Sequence, residues 1–479
     1  MSAGDASTQT NGGSASDWGN LGLVGRLKYD YALKYIIEFT GRYDGSDYFP
    51  PTKRFGLFPS VSAAWAASSE NFYGKAGLNK VFSELKFRAS YGKTGSTGTK
   101  YAYLPVYNAA DNFFVARYVT GGNINNGFSE GALTVANQNV TWYATTSYDL
   151  AVDFVALHGH LSGTFDFYDT QSKNILGSPS YRYTEPLGKA LPQVLTDAAT
   201  HKRGFDATWQ YDYTINKNWK LYAGFNMTFF NYLWKKSNED SVTLANPYTR
   251  AQGINQNYND AYYYSNGLYQ NYEQILNSPW HQNTLNGGGG LAPGDVWYQD
   301  ANGDGQITGD DFRRQGKARS PQFVYGIPFG LAYKNITVDA LLQGTGRRDV
   351  YLGGNTQASE GLSRVNFDFQ KDYWTASNAN SSFPRLGAAA LANNNNYAES
   401  SFWLKNAQYF RLKSLSISCD FSPYLKSAKF IKSLSVHFSG INLLTWSPIT
   451  KYCDPELADV NNSLYPENKT YAIGLRAGF

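Results

Sequence analysis

The sequence predicts an all-β protein, a transmembrane antiparallel β-barrel, and three observations support this prediction. Hydrophobic residues alternate with period two in about thirteen segments of roughly ten residues, the length that crosses a bilayer at a tilt. Short and long connections alternate between these segments. The chain has 479 residues, 16% of them aromatic, and no stretch approaches the roughly 18 apolar residues of a membrane helix.

The alternation is clearest at the end of the chain, in the segment TYAIGLRAGF. One face there carries Tyr471, Ile473, Leu475, Ala477 and Phe479. The other predicted strands lie near 21–31, 34–42, 58–67, 84–94, 146–155, 160–168, 203–213, 219–229, 321–333, 335–343, 415–421 and 432–442. Each strand has one apolar and one polar face, which is typical of a wall between lipid and a wet lumen. Residues predicted to line that lumen include Lys86, Arg88, Asp149, Asp153 and Arg476.

The lengths of the connections predict which end of the wall is periplasmic and which is extracellular. Short turns are expected at 31–33, 156–159, 215–218 and 333–335, and long polar loops at about 96–140, 171–201, 235–320, 347–406 and 446–467. Outer-membrane barrels have short periplasmic turns and long extracellular loops. A soluble β-sandwich or propeller also alternates, but it accounts less well for a loop as long as 235–320.

The chain is predicted to divide into a polar, low-complexity loop remnant at 1–17 and a barrel part at 18–479. Residues 1–17 lack the charged start and apolar segment of an export signal. The charge balance is nearly even, 42 Lys and Arg against 38 Asp and Glu, which argues against a nucleic-acid partner. With only two Cys and no catalytic constellation on a suitable framework, the chain is predicted not to be an enzyme.

An Asp-rich segment has the spacing of a calcium-binding loop. Positions 1, 3, 5, 7 and 12 fall on Asp300, Asn302, Asp304, Gln306 and Asp311, with a Gly at position 6. This spacing wraps oxygen ligands around one point, as Ca²⁺ requires, although Asp at position 12 is shorter than the usual Glu. The alternative is a turn that needs no metal, because Asn, Asp and Gly favour turns directly. No other cofactor is expected.

Aromatic residues crowd the predicted loop 235–320 and form a second candidate site. The candidates for substrate contact are Tyr262, Tyr263, Tyr264, Tyr269, Trp280 and Trp297. Aromatic faces stack on sugar rings and also bind peptides. The alternative is that these rings pack the loop against the barrel rim or form part of an interfacial belt.

Several blocks resemble the SusC/RagA family of TonB-dependent outer-membrane transporters. They run in family order along the chain: Gly25–Phe49 (GRLKYDYALKYIIEFTGRYDGSDYF), Phe58–Phe72, Glu84–Ser96, Pro293–Phe312 (PGDVWYQDANGDGQITGDDF), Tyr409–Phe421, Ser439–Ser447, Lys451–Glu456 (KYCDPE) and the end KTYAIGLRAGF. The resemblance implies the later part of a barrel of about 22 strands. The family's plug and TonB box have no counterpart in these residues.

The resemblance also implies a location and partners. The location is the outer membrane of a Gram-negative, Bacteroidetes-type cell, with lipid around the barrel. The expected function is import of glycans or oligosaccharides, with a SusD-like surface lipoprotein and with TonB acting through a plug outside this chain. Alternatives are a passive porin or surface-adhesion barrel, and an importer of peptides or other oligomers.

Overall fold

Thirteen antiparallel strands form one continuous sheet, paired in the order of the sequence. The computed structural model describes residues 17–479 except 99, 105–106, 109–117, 121–122, 126–128, 131–135, 178–193, 256–260, 282–289, 354–366, 387–394, 426–429 and 458–466. The strands are β1 Asn20–Tyr31, β2 Tyr35–Ser46, β3 Phe55–Ala66, β4 Phe82–Ser96, β5 Tyr143–Ala156, β6 Leu161–Lys173, β7 Ala199–Asn216, β8 Trp219–Lys236, β9 Phe323–Tyr333, β10 Ile336–Gly346, β11 Tyr409–Asp420, β12 Ser433–Trp446 and β13 Thr470–Gly478.

The all-β, antiparallel prediction is therefore confirmed, with thirteen strands in the sheet. In the described part of the chain, β1 pairs only with β2, and β13 only with β12. Apolar side chains on both edge strands are exposed, among them Leu23 and Leu27 on β1 and Ile473 and Leu475 on β13. A sheet with two unpaired apolar edges is part of a barrel rather than a closed one, since an open edge in lipid leaves backbone groups without partners.

Antiparallel register assigns every strand residue to one of two faces, because residues directly opposite each other point the same way. Leu150, Phe167, Phe205, Phe229 and Phe323 form one such row across five strands. These side chains lie on an apolar face that is open to the surroundings; Leu150 is 60% exposed and Phe167 is 51% exposed. So large an exposed apolar surface is a surface for lipid.

The opposite face is polar. One row runs through Arg88, Ala151, Asp166, Asp206 and Thr228. The predicted lumen residues Lys86, Arg88, Asp149, Asp153 and Arg476 all lie on this face. The wall therefore separates lipid from a polar interior.

The apolar face has the height of a membrane. On β8 it extends from Trp219 to Phe229, about 34 Å along the strand at ~3.4 Å per residue. A tilt of about 40° reduces this to about 26 Å, which matches the apolar band of outer-membrane barrels. At the short-turn end, the rings of Trp219 and Tyr333 are in tilted contact, with their centroids 4.2 Å apart, as in an interfacial aromatic girdle.

Two β-bulges interrupt the alternation near the end of the chain. The register of β10 and β11 shifts between Leu412 and Ser414, leaving Lys413 as the extra residue. On β12, Asn442 has a left-handed φ of +54°. The sequence predicted a strand only from 415, because a bulge inverts the order of apolar and polar positions.

Connections alternate between the two ends of the sheet. At the short-turn end, 3₁₀ helices lie at Ala67–Ser69, Leu78–Lys80, Leu157–Gly159 and Ser422–Tyr424, and an α-helix at Asn71–Lys75. At the other end, the long connections contain α-helices Ser241–Ala245 and Tyr272–Leu276 and 3₁₀ helices Gly309–Asp311 and Asp368–Lys371, and the short connection between β2 and β3 contains the 3₁₀ helix Pro51–Lys53. The polar remnant predicted at 1–17 lies outside the described residues apart from Asp17.

The long connections also contain short paired strands. The pairs are Tyr107–Asn108 with Ser129–Glu130, Tyr118–Thr120 with Asn123–Asn125, Leu176–Gly177 with Val194–Leu195, Ala261–Tyr262 with Arg313–Arg314, Ser265–Leu268 with Val296–Tyr298, Trp280–His281 with Gln306–Ile307, and Asp349–Tyr351 with Leu404–Asn406. None of the helices in the described ranges is long and apolar enough to cross a membrane.

Candidate functional site

The polar face of the sheet carries a charged cluster around Arg88. Arg88 Nε and Nη2 donate to the two carboxylate oxygens of Asp153, at 2.8 and 3.0 Å, and Nη2 also donates to Asp166 at 3.1 Å. Thr164 donates to the same Asp153 carboxylate at 3.1 Å. A cavity of about 760 Å³ adjoins this cluster and is lined by further polar groups such as Lys86 and Gln210. Bidentate pairing fixes these charges, so the interior surface is polar and rigid.

A compact layer of loops stands at the long-loop end and has its own hydrophobic core. Its buried residues are Tyr263, Leu268, Val296, Tyr298 and Ile307, and the partly buried Phe312, Trp374, Ala398 and Phe402 pack against them. These residues come from the connections 237–322 and 347–408. Two loops far apart in sequence thus fold into one unit.

A buried carboxylate joins the two loops. Asp295 is fully buried, and Arg385 donates to both its oxygens, from Nε at 2.6 Å and from Nη2 at 3.1 Å. Asn396 Nδ2 donates at 2.9 Å, and the backbone N–H of Ala292 at 2.8 Å. A carboxylate that is buried from solvent and accepts hydrogen bonds from several donors strongly fixes the loop that carries it.

A second buried charge ties the last long connection to the wall. Arg411 on β11 is 1% exposed and lies within 2.6 Å of Asp454, 3.3 Å of Glu456 and 3.3 Å of Glu467. Lys413, the bulged residue, lies 3.0 Å from Glu456. We name Arg411 with these three carboxylates the Arg411 cluster. The YFRLKS and KYCDPE segments therefore form one ion-pair network, which no local sequence pattern indicates.

The Arg411 cluster shifts the pKa of Glu456, which lies in the connection after β12. Burial raises the pKa of its carboxyl, but hydrogen bonds from Lys413 and Tyr409 and the charge of Arg411 outweigh burial. The pKa of Glu456 is therefore lower than its ordinary value. Glu456 stays ionised and keeps the connection docked on the wall.

The Asp-rich loop closes through its own backbone. The two oxygens of Asp300 accept from the N–H groups of Gly303 at 2.6 Å and Gly305 at 2.8 Å. These N–H groups outweigh desolvation, which acts in the opposite direction, and lower the pKa of Asp300. The fully buried Asp311 accepts from the N–H groups of Ala301, Asn302 and Thr308.

Among the residues that the structure describes, no three His, Cys, Asp or Glu side chains are arranged to hold a metal ion. The carboxylates of Asp300 and Asp311 bond to backbone N–H groups, and Asp304 accepts from Gln306 N. These bonds stabilise the turn without a metal and leave oxygen lone pairs free for one. The calcium site at Asp300, Asn302, Asp304, Gln306 and Asp311 stays a prediction.

We expect Asp311→Ala to unfold the Asp-rich loop locally. Three backbone N–H groups would lose their acceptor, at a cost of about 3 kcal/mol or more. Hydrogen exchange of the amides from Gly303 to Thr308 measures the change. Asp310→Ala, an exposed neighbour, is the matched control and should leave exchange unchanged. Calcium-dependent protection in the unaltered chain would support the metal, whereas equal protection in CaCl₂ and in chelator would support the bare turn.

The aromatic candidates divide by exposure. Tyr262, Tyr263 and Tyr269 are each at most 5% exposed. Tyr262 stacks on Tyr351 at 5.0 Å, and Tyr269 stacks on Trp297 at 5.4 Å between ring centroids. These rings pack the loop layer together, and sequence alone could not separate them from rings that face outward.

Tyr264 and Trp280 keep exposed rings, with exposed fractions of 43% and 49%. The strand residues Trp280 and His281 pair with Gln306 and Ile307, and Trp280 N–H donates to the carbonyl of Gly305 at 3.0 Å. The Asp-rich loop therefore holds the backbone of Trp280. An exposed ring on a rigid support is suited to contact a ligand.

Comparisons with known proteins agree with this architecture. No protein-family model matches the chain. It is 25% identical to TonB-dependent receptor P26 of Formosa agariphila, over 95% of this chain and 46% of the relative. It is 24% identical to TonB-dependent receptor SusC of Bacteroides thetaiotaomicron, over 95% of this chain and 43% of that protein. The chain thus spans slightly less than half the length of these curated relatives.

Solved structures show the same fold. The structure of the RagAB peptide transporter superposes with a TM-score of 0.70 over 99% of this chain and 50% of that chain, at 21% identity. Its open-open state gives a TM-score of 0.72 at 19% identity, over 99% of this chain and 49% of that one.

Fold and wall chemistry define a chain of an outer-membrane β-barrel. Within that class, the resemblance to the SusC/RagA family is confirmed, because the chain is similar over 95% of its length to TonB-dependent receptors, SusC among them, and shares the fold of RagAB. The predicted location in the outer membrane is confirmed with it. The long-loop end is the extracellular end.

Proposed function

We propose that this chain supplies the wall and extracellular loops of a receptor that imports oligosaccharides across the outer membrane. The observation that carries this proposal is the loop layer above the polar wall, which presents Tyr264 and Trp280 on a rigid core. Exposed aromatic faces on rigid supports are suited to stack on sugar rings. Below them, the Arg88 cluster and its neighbours offer a polar path.

The proposal includes partners. A surface lipoprotein of the SusD kind would close over the loop layer, and TonB would supply energy through a plug. The resemblance to the SusC/RagA family supports the lipoprotein, and the relative SusC, which is called a TonB-dependent receptor, supports TonB. The similar structure RagAB is called a peptide transporter. Since RagAB handles peptides, a peptide importer is the second candidate, and the binding test below includes it.

The test is a binding measurement on the complete receptor in detergent. We expect an oligosaccharide panel to contain a ligand whose affinity falls about tenfold in Trp280→Ala and in Tyr264→Ala, the loss of one stacked ring. Tyr424→Ala is the control, an exposed tyrosine at the short-turn end, and it should bind normally.

Other outcomes distinguish the alternatives. Binding of peptides but not of oligosaccharides, with the same loss of affinity in Trp280→Ala, would show that the imported substrate is a peptide and not an oligosaccharide. Uptake by cells that does not depend on TonB would indicate a passive porin and overturn the proposal. A metal requirement for binding, lost in Asp300→Ala, would support the predicted Ca²⁺ as the group that stiffens the support of Trp280.

A further inference from the structure

A cavity of about 440 Å³ lies where the extracellular ends of β8, β9 and β10 meet the loop layer. Its walls include Phe229, Asn231, Gln322, Arg347, Arg314 and Gln315. It is separate from the Arg88 cluster and from the exposed aromatic rings. None of the sites described above uses it.

The register places this cavity on the lipid side of the wall, at the upper boundary of the apolar band. Phe229 lies opposite Phe205 and Phe323 in the aromatic row. The next residue of the same face is Asn231, opposite Arg203, and Arg203 pairs with Asp169 at 2.6 Å. The face thus changes from aromatic to charged within two residues, at the depth where lipid headgroups begin.

Two guanidinium groups line the cavity. Arg347 follows β10 with a left-handed φ of +55°, and its guanidinium carbon lies 6.0 Å from the centroid of Phe229. No carboxylate among the described residues forms an ion pair with Arg347. Arg314 is held by the carbonyls of Thr249 and Arg250, to which it donates. Arginine forks that lack a carboxylate partner are suited to a phosphate.

A buried glutamine lies in the wall of the same cavity. Gln322 is 4% exposed, and its side-chain carbonyl oxygen is buried without a hydrogen-bond partner. Its amide nitrogen lies 3.4 Å from the side-chain oxygen of Asn231. A buried oxygen with no donor is costly, and a ligand hydroxyl would satisfy it once the Gln322 amide turns toward the cavity. The ring of Phe229 adds a flat apolar surface beside these groups, as sugar-binding sites require.

We propose that this cavity binds the phosphorylated sugar headgroup of an outer-leaflet glycolipid. The two arginines bind the phosphate, Gln322 accepts from a sugar hydroxyl, and Phe229 lies against the ring. The acyl chains continue down the apolar face below the aromatic row. This site concerns the membrane rather than the imported substrate, so it stands independently of the proposed import function.

The test uses the complete receptor in detergent and native mass spectrometry with bis-phosphorylated lipid A as the probe. We expect bound lipid A in the unaltered protein and about tenfold weaker binding in Arg347→Gln, the loss of one charge-assisted contact. Lipid A stripped of its phosphates should bind as weakly to the unaltered protein. Arg42→Gln is the matched control, because Arg42 pairs with Asp44 on the opposite face, and it should bind lipid A normally.

Gln322→Leu is the second variant and keeps the test decisive if Arg347→Gln fails to fold. It removes an unsatisfied acceptor, so the barrel should keep its heat-modifiable migration on gels while lipid A binding weakens. Equal lipid A binding in the unaltered protein and in a folded variant would overturn the site. Binding of glucosamine 1-phosphate without binding of lipid A would also overturn it, by showing that the ligand is a soluble sugar phosphate.

Discussion

Replacing Arg411 by Met is expected to release the connection after β12 from the barrel wall. The three carboxylates of the Arg411 cluster would lose the buried cation between them. Breaking a buried ion pair from one side costs about 3–5 kcal/mol, because the remaining charges stay desolvated. Hydrogen exchange and limited proteolysis of residues 447–457 in the complete receptor would measure the release.

Two further variants separate charge from packing. Arg42→Met removes a half-exposed arginine paired with Asp44 and should change stability by less than about 1 kcal/mol. Adding Asp454→Asn and Glu467→Gln to Arg411→Met should restore part of the loss, because the remaining carboxylate, Glu456, keeps its ion pair with Lys413. Unchanged exchange in Arg411→Met alone would show that packing, and not the ion pairs, holds the connection.

Acid should have the same effect as the substitution, and the sign follows from Glu456. A carboxyl whose pKa is lowered in the folded state stabilises the fold at pH values above its unfolded pKa. That contribution is lost as the pH falls through the lowered pKa of Glu456. The connection after β12 should therefore become exchange-competent on acidification, and Arg411→Met should weaken this pH dependence without removing it, because the hydrogen bonds from Lys413 and Tyr409 to Glu456 remain.

Replacing Asp295 by Asn is expected to unfold the loop layer while the strands of the wall stay paired. Arg385 would lose its charged partner, and the NH₂ group introduced by the substitution would face the guanidinium of Arg385. The cost is about 3–5 kcal/mol for a broken buried pair. Amides of Ser265–Leu268 and Val296–Tyr298, which form the core of this layer, should lose protection against exchange.

The matched control for Asp295 is Asp368→Asn. Asp368 also pairs with a cation, Lys371, but both side chains are more than 80% exposed. Exposed pairs contribute little, so this variant should keep the protection of the loop layer. If Asp295→Asn keeps it too, the hydrophobic core alone holds the two loops together.

The fold class followed from the sequence because a strand in a membrane wall obeys a local rule. Each residue faces either lipid or lumen, so period-two alternation gave thirteen strands near their observed places. The rule failed at Lys413 and Asn442, where an extra or left-handed residue shifts the register. A bulge depends on the partner strand and leaves little local signal.

The sites depended on tertiary structure to a greater extent. The sequence marked Tyr262 and Trp280 equally, but only packing shows that Tyr262 is buried and Trp280 exposed. Asp295 and Asn396 meet across 101 positions of sequence, and no local pattern encodes such a contact. The sequence by itself determined the strands of the wall, because every strand meets the same two surroundings, lipid on one face and the polar lumen on the other. The tertiary structure alone decided the ion-pair clusters and cavities of the loops, because their energies come from partners that only the fold brings together.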